Sequence, residues 1–191
     1  MRSWLLALTD FGDAIVLIPV ATTMLLWLIF ATNNKMRFAA WWSVSVGLCV
    51  GITAVLKIFF YGCPPVSYMR SPSGHTGFSV VVYGGIALVT AVQTEGFCRI
   101  LAIAIGSALI VMIAVSRLLL EIHTLPEVIL GFIIGMLSLI LFGRIYLQSP
   151  QAQVWPLIVT TAILLTTLHG QELSPEEFLH HITGYLHIRC S

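Results

Sequence analysis

Charge is what this sequence has least of. Only 9% of its 191 residues are Asp, Glu, Lys or Arg, against 58% hydrophobic, where an ordinary soluble domain carries about 25% charged residues. So few charges cannot cover a globule with polar surface, which excludes a soluble enzyme or a secreted disulfide scaffold. A disordered tail is excluded as well, because it needs low hydrophobicity and high net charge. The formal net charge of +1 provides no basic field for a polyanion, so nucleic acid is not an expected partner. The four cysteines, Cys49, Cys63, Cys98 and Cys190, show no CxxC or other metal-ligand spacing. With no HExxH motif and no carboxylate cluster either, no metal and no other cofactor is expected. The first ten residues contain Asp10 and lack a basic stretch leading into a long apolar run, so no cleavable leader is expected.

What the chain does have is apolar runs. A spanning helix needs about 20 apolar residues, and apolar runs with few charges recur at roughly 13–31, 38–60, 76–94, 98–116, 126–147 and 153–169. They predict an all-α, polytopic membrane helix bundle of about six transmembrane helices, forming a single domain over 1–191 with its core at 38–147. Residues 1–12 are too short to span and are expected at the interface. The pairs Gly47/Gly51 and Gly131/Gly135 suit close helix contact in lipid. Cys49 and Cys98 are expected as packing residues, and Cys63 and Cys190 fall on one face, where a disulfide is an option. Ser174-Pro175-Glu176-Glu177 has the grammar of a helix start, and Phe178, Ile182, Tyr185 and Leu186 then share a face. This predicts an interfacial amphipathic helix at about 174–188, with His180, His181 and His187 on its polar face. His169 is expected to end the sixth span.

Six spans put both termini on one face, together with the breaks at 61–75 and 117–125. The opposite face holds Lys35, Arg37, Arg99 and Arg144 with one acid, Glu95. Positive residues in short loops mark the cytoplasmic side, so the termini and both long breaks are expected outside it. Within so few charges, a gathering is informative. Lys57 closes the second span, Arg70 precedes Ser71-Pro72-Ser73-Gly74-His75 at the start of the third, Ser116-Arg117 ends the fourth, and His123 and Glu127 lead into the fifth. Ionisable groups at membrane depth are costly and functional by default; the alternative is snorkelling of Lys57 and Arg117 to the interface. Fixed cations suit an anion, and Arg offers a fork matched to phosphate. Ser71 as N-cap and Pro72 at the first helical position would open a helix whose N-terminal N–H groups attract an anion, with Gly74 allowing close approach. Two histidines, His75 and His123, could divide the roles of nucleophile and general acid.

These residues resemble the type 2 phosphatidic acid phosphatase family, whose pattern is K-x6-R-P, then P-S-G-H, then S-R-x5-H-x3-D. Pro72-Ser73-Gly74-His75 matches the second part, Ser116-Arg117 with His123 matches the third up to its last position, and Lys57 opens the first. The resemblance implies a metal-independent hydrolase of a lipid phosphate in the bilayer. In it, His123 forms a phosphohistidine, His75 protonates the leaving oxygen, and Lys57, Arg117, Ser73 and the Gly74 amide hold the phosphoryl oxygens. The chain departs twice from the pattern. Pro64-Pro65 stands where Arg-Pro is expected, leaving Arg70 as the candidate substitute or as an interfacial anchor. Glu127 stands in place of Asp, either as the partner that orients His123 or as the third residue of a capping box begun by Thr124. The alternatives to a hydrolase are a lipid phosphotransferase using the same phosphohistidine and a non-catalytic anion-binding or transport protein. The expected location is the bacterial inner (plasma) membrane, with the site and both termini extracytoplasmic. A C-terminal tag is therefore expected to stay inaccessible to a cytoplasmic labelling reagent and to react from outside; labelling from the cytoplasm would reverse the assignment.

Overall fold

The computed structural model describes residues 2–31, 35–62, 71–147 and 152–170. Arg70, Pro64, Pro65, Cys63, Cys190 and the helix expected at about 174–188 lie outside them. Seven helices follow in order: α1 (Arg2–Asp10), α2 (Ala14–Ala31), α3 (Lys35–Gly62), α4 (Gly74–Gln93), α5 (Gly96–Leu119), α6 (Leu125–Tyr146) and α7 (Trp155–Leu168). The described residues form an all-α bundle, as the composition demands. In hydrocarbon no water is at hand for backbone N–H and C=O groups, and a helix satisfies them within one segment.

Five segments, Trp4–Ala31, Met36–Phe60, Gly74–Gln93, Gly96–Leu119 and Leu125–Tyr146, are long and apolar enough to cross a membrane. The last four match the second to fifth expected spans closely, and the first begins at Trp4, within the stretch expected at the interface, where the expected span began at 13. The sixth expected run, 153–169, forms a shorter apolar helix. α7 has 14 residues, which rise about 21 Å against a hydrocarbon core of about 30 Å. Ala152 to Val154 are not helical, which removes the first residues of the apolar run at 153–169. Many large apolar side chains, among them Val55, Ile100, Val111 and Leu137, are exposed on the bundle's surface, as a lipid solvent allows.

α4 is the central helix, packed against α2, α3, α5 and α6. Its approach to α6 depends on missing side chains. A Cβ on Gly131 would strike the Ser73 carbonyl, one on Gly135 would strike the Gly77 carbonyl, and one on Gly77 would lie 2.9 Å from the Gly131 carbonyl oxygen. The expected Gly131/Gly135 seam is thus a real backbone contact. Gly47 and Gly51 behave otherwise, since a Cβ on either meets nothing within 4 Å; both are exposed. Cys49 is buried as expected, whereas Cys98 is exposed at the start of α5, because the first turn of that helix has no neighbour over it.

The ends of the bundle away from residues 57, 75 and 117 are tied by aromatics and one amide. Trp42 lies edge-on to Phe142 at 5.2 Å, and Phe142 stacks on Tyr146 at 5.3 Å. Gln93 donates to the Tyr146 hydroxyl (2.9 Å) and accepts from the Ala152 N–H (2.7 Å). Gly131→Ala is expected to destabilise the bundle by about 1–3 kcal/mol, the usual cost of overpacking, while Gly47→Ala stays within about 0.5 kcal/mol of the parent. Thermal midpoints of the two variants in detergent provide the comparison; equal midpoints would remove the packing role assigned to Gly131.

Candidate active site

The site is assembled by two chain reversals. At the first, α5 ends at Leu119 and the Ile122 and His123 N–H groups return to the Arg117 carbonyl at 3.2 and 3.3 Å, while the Glu121 N–H bonds the Leu118 carbonyl at 3.0 Å. This is the six-to-one and five-to-two pattern of a Schellman cap. Its left-handed position is held by Glu121, with φ of 58°, where glycine is usual. The reversal explains why five residues separate Arg117 from His123: that length brings the imidazole back beside the last turn of α5. Ser116 has a lesser part, since its hydroxyl bonds the Ile113 carbonyl of its own helix at 2.8 Å.

At the second reversal the chain enters α4. The helix starts two residues later than expected: Ser73, not Ser71, is the N-cap, and Gly74 is the first helical residue. The cause is α6. The Ser71 N–H bonds Glu127 Oε1 at 2.9 Å and the Ser73 N–H bonds the Glu127 carbonyl at 3.0 Å, so 71–73 run along α6 rather than coil. Pro72 also disfavours helical geometry at Ser71. The Ser73 hydroxyl is fully buried and lies 3.0 Å from the Thr76 hydroxyl. It is spent on the cap, and the structure does not turn it towards the cavity described below.

Glu127 is 3% exposed and serves both readings left open above. Its Oε2 lies 3.0 Å from His123 Nδ1 and accepts the Thr124 N–H at 2.9 Å. A carboxylate at this distance accepts a hydrogen bond from Nδ1–H, which leaves the lone pair on Nε2. That Nε2 is buried and has no hydrogen-bond partner among the described residues, the condition of an atom kept for something other than stability. Burial, foremost, pushes the His123 imidazole below its ordinary 6.5; the Glu127 hydrogen bond opposes this, and the Arg117 and Lys57 charges add to it. His123 is therefore neutral, and nucleophilic, at neutral pH.

Both cations are buried, Lys57 at the end of α3 and Arg117 at the end of α5. A Cβ on Gly74 would lie 3.8 Å from Lys57 Cε and 4.0 Å from Nζ, which sets the ammonium over the N-terminus of α4. A helix start is the positive end of the dipole, and its free N–H groups with a cation beside them suit an anion. A cavity of about 550 Å³ opens here. Asp13, Lys57, Gly74 and His75 line its polar end, and Ala21, Leu25, Trp42, Val46, Gly47 and Val50 line its apolar length between α2 and α3. His123 and Arg117 are not in its wall. Arg70 lies outside the described residues. Among the described residues, no three His, Cys, Asp or Glu groups are arranged to share a metal.

Two neighbours of the site escaped the sequence reading. Thr9 accepts from Arg117 Nη1 at 3.0 Å, and Asp13 Oδ1 lies 3.9 Å from His75 Nε2. Thr9 comes from the segment expected at the interface and Asp13 from the start of the first expected span; α1 packs on α5. The available signal was Asp13 itself, an acid directly before a long apolar run.

The five long apolar segments suit an integral membrane protein. The model of the PAP2 superfamily matches residues 59–151, a stretch that includes His75, Arg117, His123 and Glu127, and this similarity supports a function of the phosphatase type. A Klebsiella pneumoniae protein, "Uncharacterized 22.5 kDa protein in cps region", is 26% identical over 148 residues, covering 75% of this chain and 69% of its own. No solved structure matches the chain.

The lowered His123 pKa has a consequence for stability. An unfolded imidazole titrates near 6.5 and binds protons that the folded one refuses, so stability is complete above about pH 6.5 and falls as pH drops from there through the folded value. His123→Gln is expected to flatten that acid limb in thermal midpoints measured against pH; an unchanged slope would show that His123 titrates normally.

Proposed function

We propose that the chain is a metal-independent lipid phosphate phosphatase acting through a phosphohistidine on His123, with its site at the extracytoplasmic face. The observation that carries the reading is the cavity. Its polar end has a lysine ammonium over a helix N-terminus and a histidine beside it, and its length is apolar and open between α2 and α3, where Ile18 and Val50 are exposed. A phosphate at one end and a hydrocarbon tail along the other would satisfy both. Entry from the side keeps the tail in lipid throughout.

His123 Nε2 would attack phosphorus while the bond to the leaving oxygen breaks and His75 supplies that oxygen's proton. Water then attacks the phosphohistidine, His75 takes up a proton, and phosphate leaves with His123 restored. Glu127 keeps the Nδ1 proton in place and steadies the positive ring, as the acid of a triad does. Lys57, Arg117 and the Gly74 N–H stabilise charge on the phosphoryl oxygens. Nε2 is sealed in the resting state, so productive binding has to open a path to it. The extracytoplasmic assignment is supported by Arg37, Arg99 and Arg144 lying at the opposite helix ends. An inner (plasma) membrane of a bacterium is the proposed location.

The test is phosphate release from a panel of lipid phosphates in detergent, with a chelator present. Release is expected to be sensitive to vanadate, and to fall at least about 10³-fold in His123→Ala, as when a covalent nucleophile is removed. Binding without release would favour an anion-binding protein, and phosphate transferred to a second lipid would favour a transferase.

A further inference from the structure

The turn between α1 and α2 lies beyond the matched residues 59–151 and beyond the motif residues 57–127, yet it reaches the site. It is held from several sides. The Gly12 N–H bonds the Thr9 carbonyl at 2.8 Å, and the Asp13 N–H bonds the Asp10 carbonyl at 3.0 Å. Tyr83 of α4 donates to the Phe11 carbonyl at 2.6 Å, and His169, after α7, stacks on the Phe11 ring at 4.7 Å. A Cβ on Gly12 would come within 2.7 Å of Ile113 of α5. Asp13, at the end of this turn, is 8% exposed and caps α2 by accepting the Ala14 N–H at 2.9 Å. The same Oδ1 lies 3.9 Å from His75 Nε2. Side chains so fixed can hold a partner in a defined place.

The charges around His75 explain what such a partner is for. Lys57 of α3 lines the same cavity, and the α4 N-terminus adds a positive dipole end. Arg117 of α5 is bound to Thr9, Asp10 closes α1, and the His123–Glu127 pair stands at the start of α6. The first two are positive neighbours of His75. Asp13 is the one carboxylate in the cavity wall among the described residues, and it offsets them.

We infer that Asp13 is a positioning residue for His75: its carboxylate orients the ring and keeps on it the proton that passes to the leaving alcohol oxygen. The inference rests on His75 serving as the acid of the hydrolase proposed above. As the phosphorus–oxygen bond breaks, the proton moves from His75 to that oxygen. In the second step His75 regains a proton from the attacking water, and Asp13 stays ionised throughout. An alkoxide needs this proton to leave; a nitrophenolate does not.

The full-length protein in detergent is therefore assayed on phosphatidic acid and on p-nitrophenyl phosphate, with Asp13→Asn and Asp13→Glu. Asparagine caps a helix as well as aspartate does, so the fold is retained, which the thermal midpoint checks. For Asp13→Asn, kcat on phosphatidic acid is expected to fall about 10²-fold, the low end for losing acid catalysis, with KM nearly constant and p-nitrophenyl phosphate hydrolysis little changed. Asp13→Glu is expected to recover most of the loss. Equal losses on both esters, or none on phosphatidic acid while His75→Ala is impaired, would overturn the inference and leave the hydrolase reading intact. Nitrogen-15 histidine spectra test the coupling without turnover. The His75 ring signals, assigned with His75→Gln, are expected to move towards the neutral form in Asp13→Asn while those of His123 hold. Unmoved His75 signals overturn the inference even if no ester is cleaved, an outcome in which the hydrolase reading fails separately.

Discussion

A buried carboxylate must have every hydrogen bond it can get, and Glu127 has them from three parts of the chain. It takes the Ser71 N–H from the approach to α4, the Thr124 N–H from the start of its own helix, and His123 Nδ1 from the turn after α5. Its carbonyl takes the Ser73 N–H as well. Bonds to a charged group contribute about 1.5–3 kcal/mol each, and leaving a buried charge unsatisfied costs more than that. The carboxylate therefore sets where α4 begins, which way His123 faces and which imidazole nitrogen keeps its lone pair. The extra methylene of Glu over Asp is compatible with both duties, because one oxygen serves His123 and Thr124 and the other serves Ser71.

The remainder of the site follows from charge placed where a membrane makes charge costly. Lys57 and Arg117 are buried near His123 and lower its proton affinity, and Lys57 also stands over the positive end of α4. These are poor arrangements for stability alone and good ones for an anion. Close packing makes them possible. Without side chains at Gly77, Gly131 and Gly135, α4 and α6 meet backbone to backbone, which brings the start of α4 within hydrogen-bond reach of Glu127.

Legibility followed the range of the interactions. Spans two to five were legible to within a few residues because hydrophobic length is a local property. The His123–Glu127 pair was legible because four residues on a turn entering a helix put side chains together. The α4 cap was misplaced by two residues, since a contact with α6, distant in sequence, overrode a sound local cap at Ser71. Gly47/Gly51 and Gly131/Gly135 share one spacing, yet only the second pair is packed. Spacing creates a flat face and cannot say what covers it. Thr9 and Asp13 were hard to assign to the site because their partners, Arg117 and His75, lie 108 and 62 positions away.

By itself, then, the sequence determined that this protein lives in a bilayer, that it is helical, and which histidines and cations could meet a phosphate, because apolar length, backbone satisfaction in lipid and motif spacing are all properties of short stretches of chain. Only the tertiary structure decided that Glu127 joins the helix cap to the imidazole, that an apolar cavity runs from Lys57 and His75 along α2 and α3, and that the N-terminal turn carries a carboxylate to His75. Each of these depends on elements far apart in the chain arriving at one depth. That arrival is set by which helix faces pack, and no short stretch encodes it.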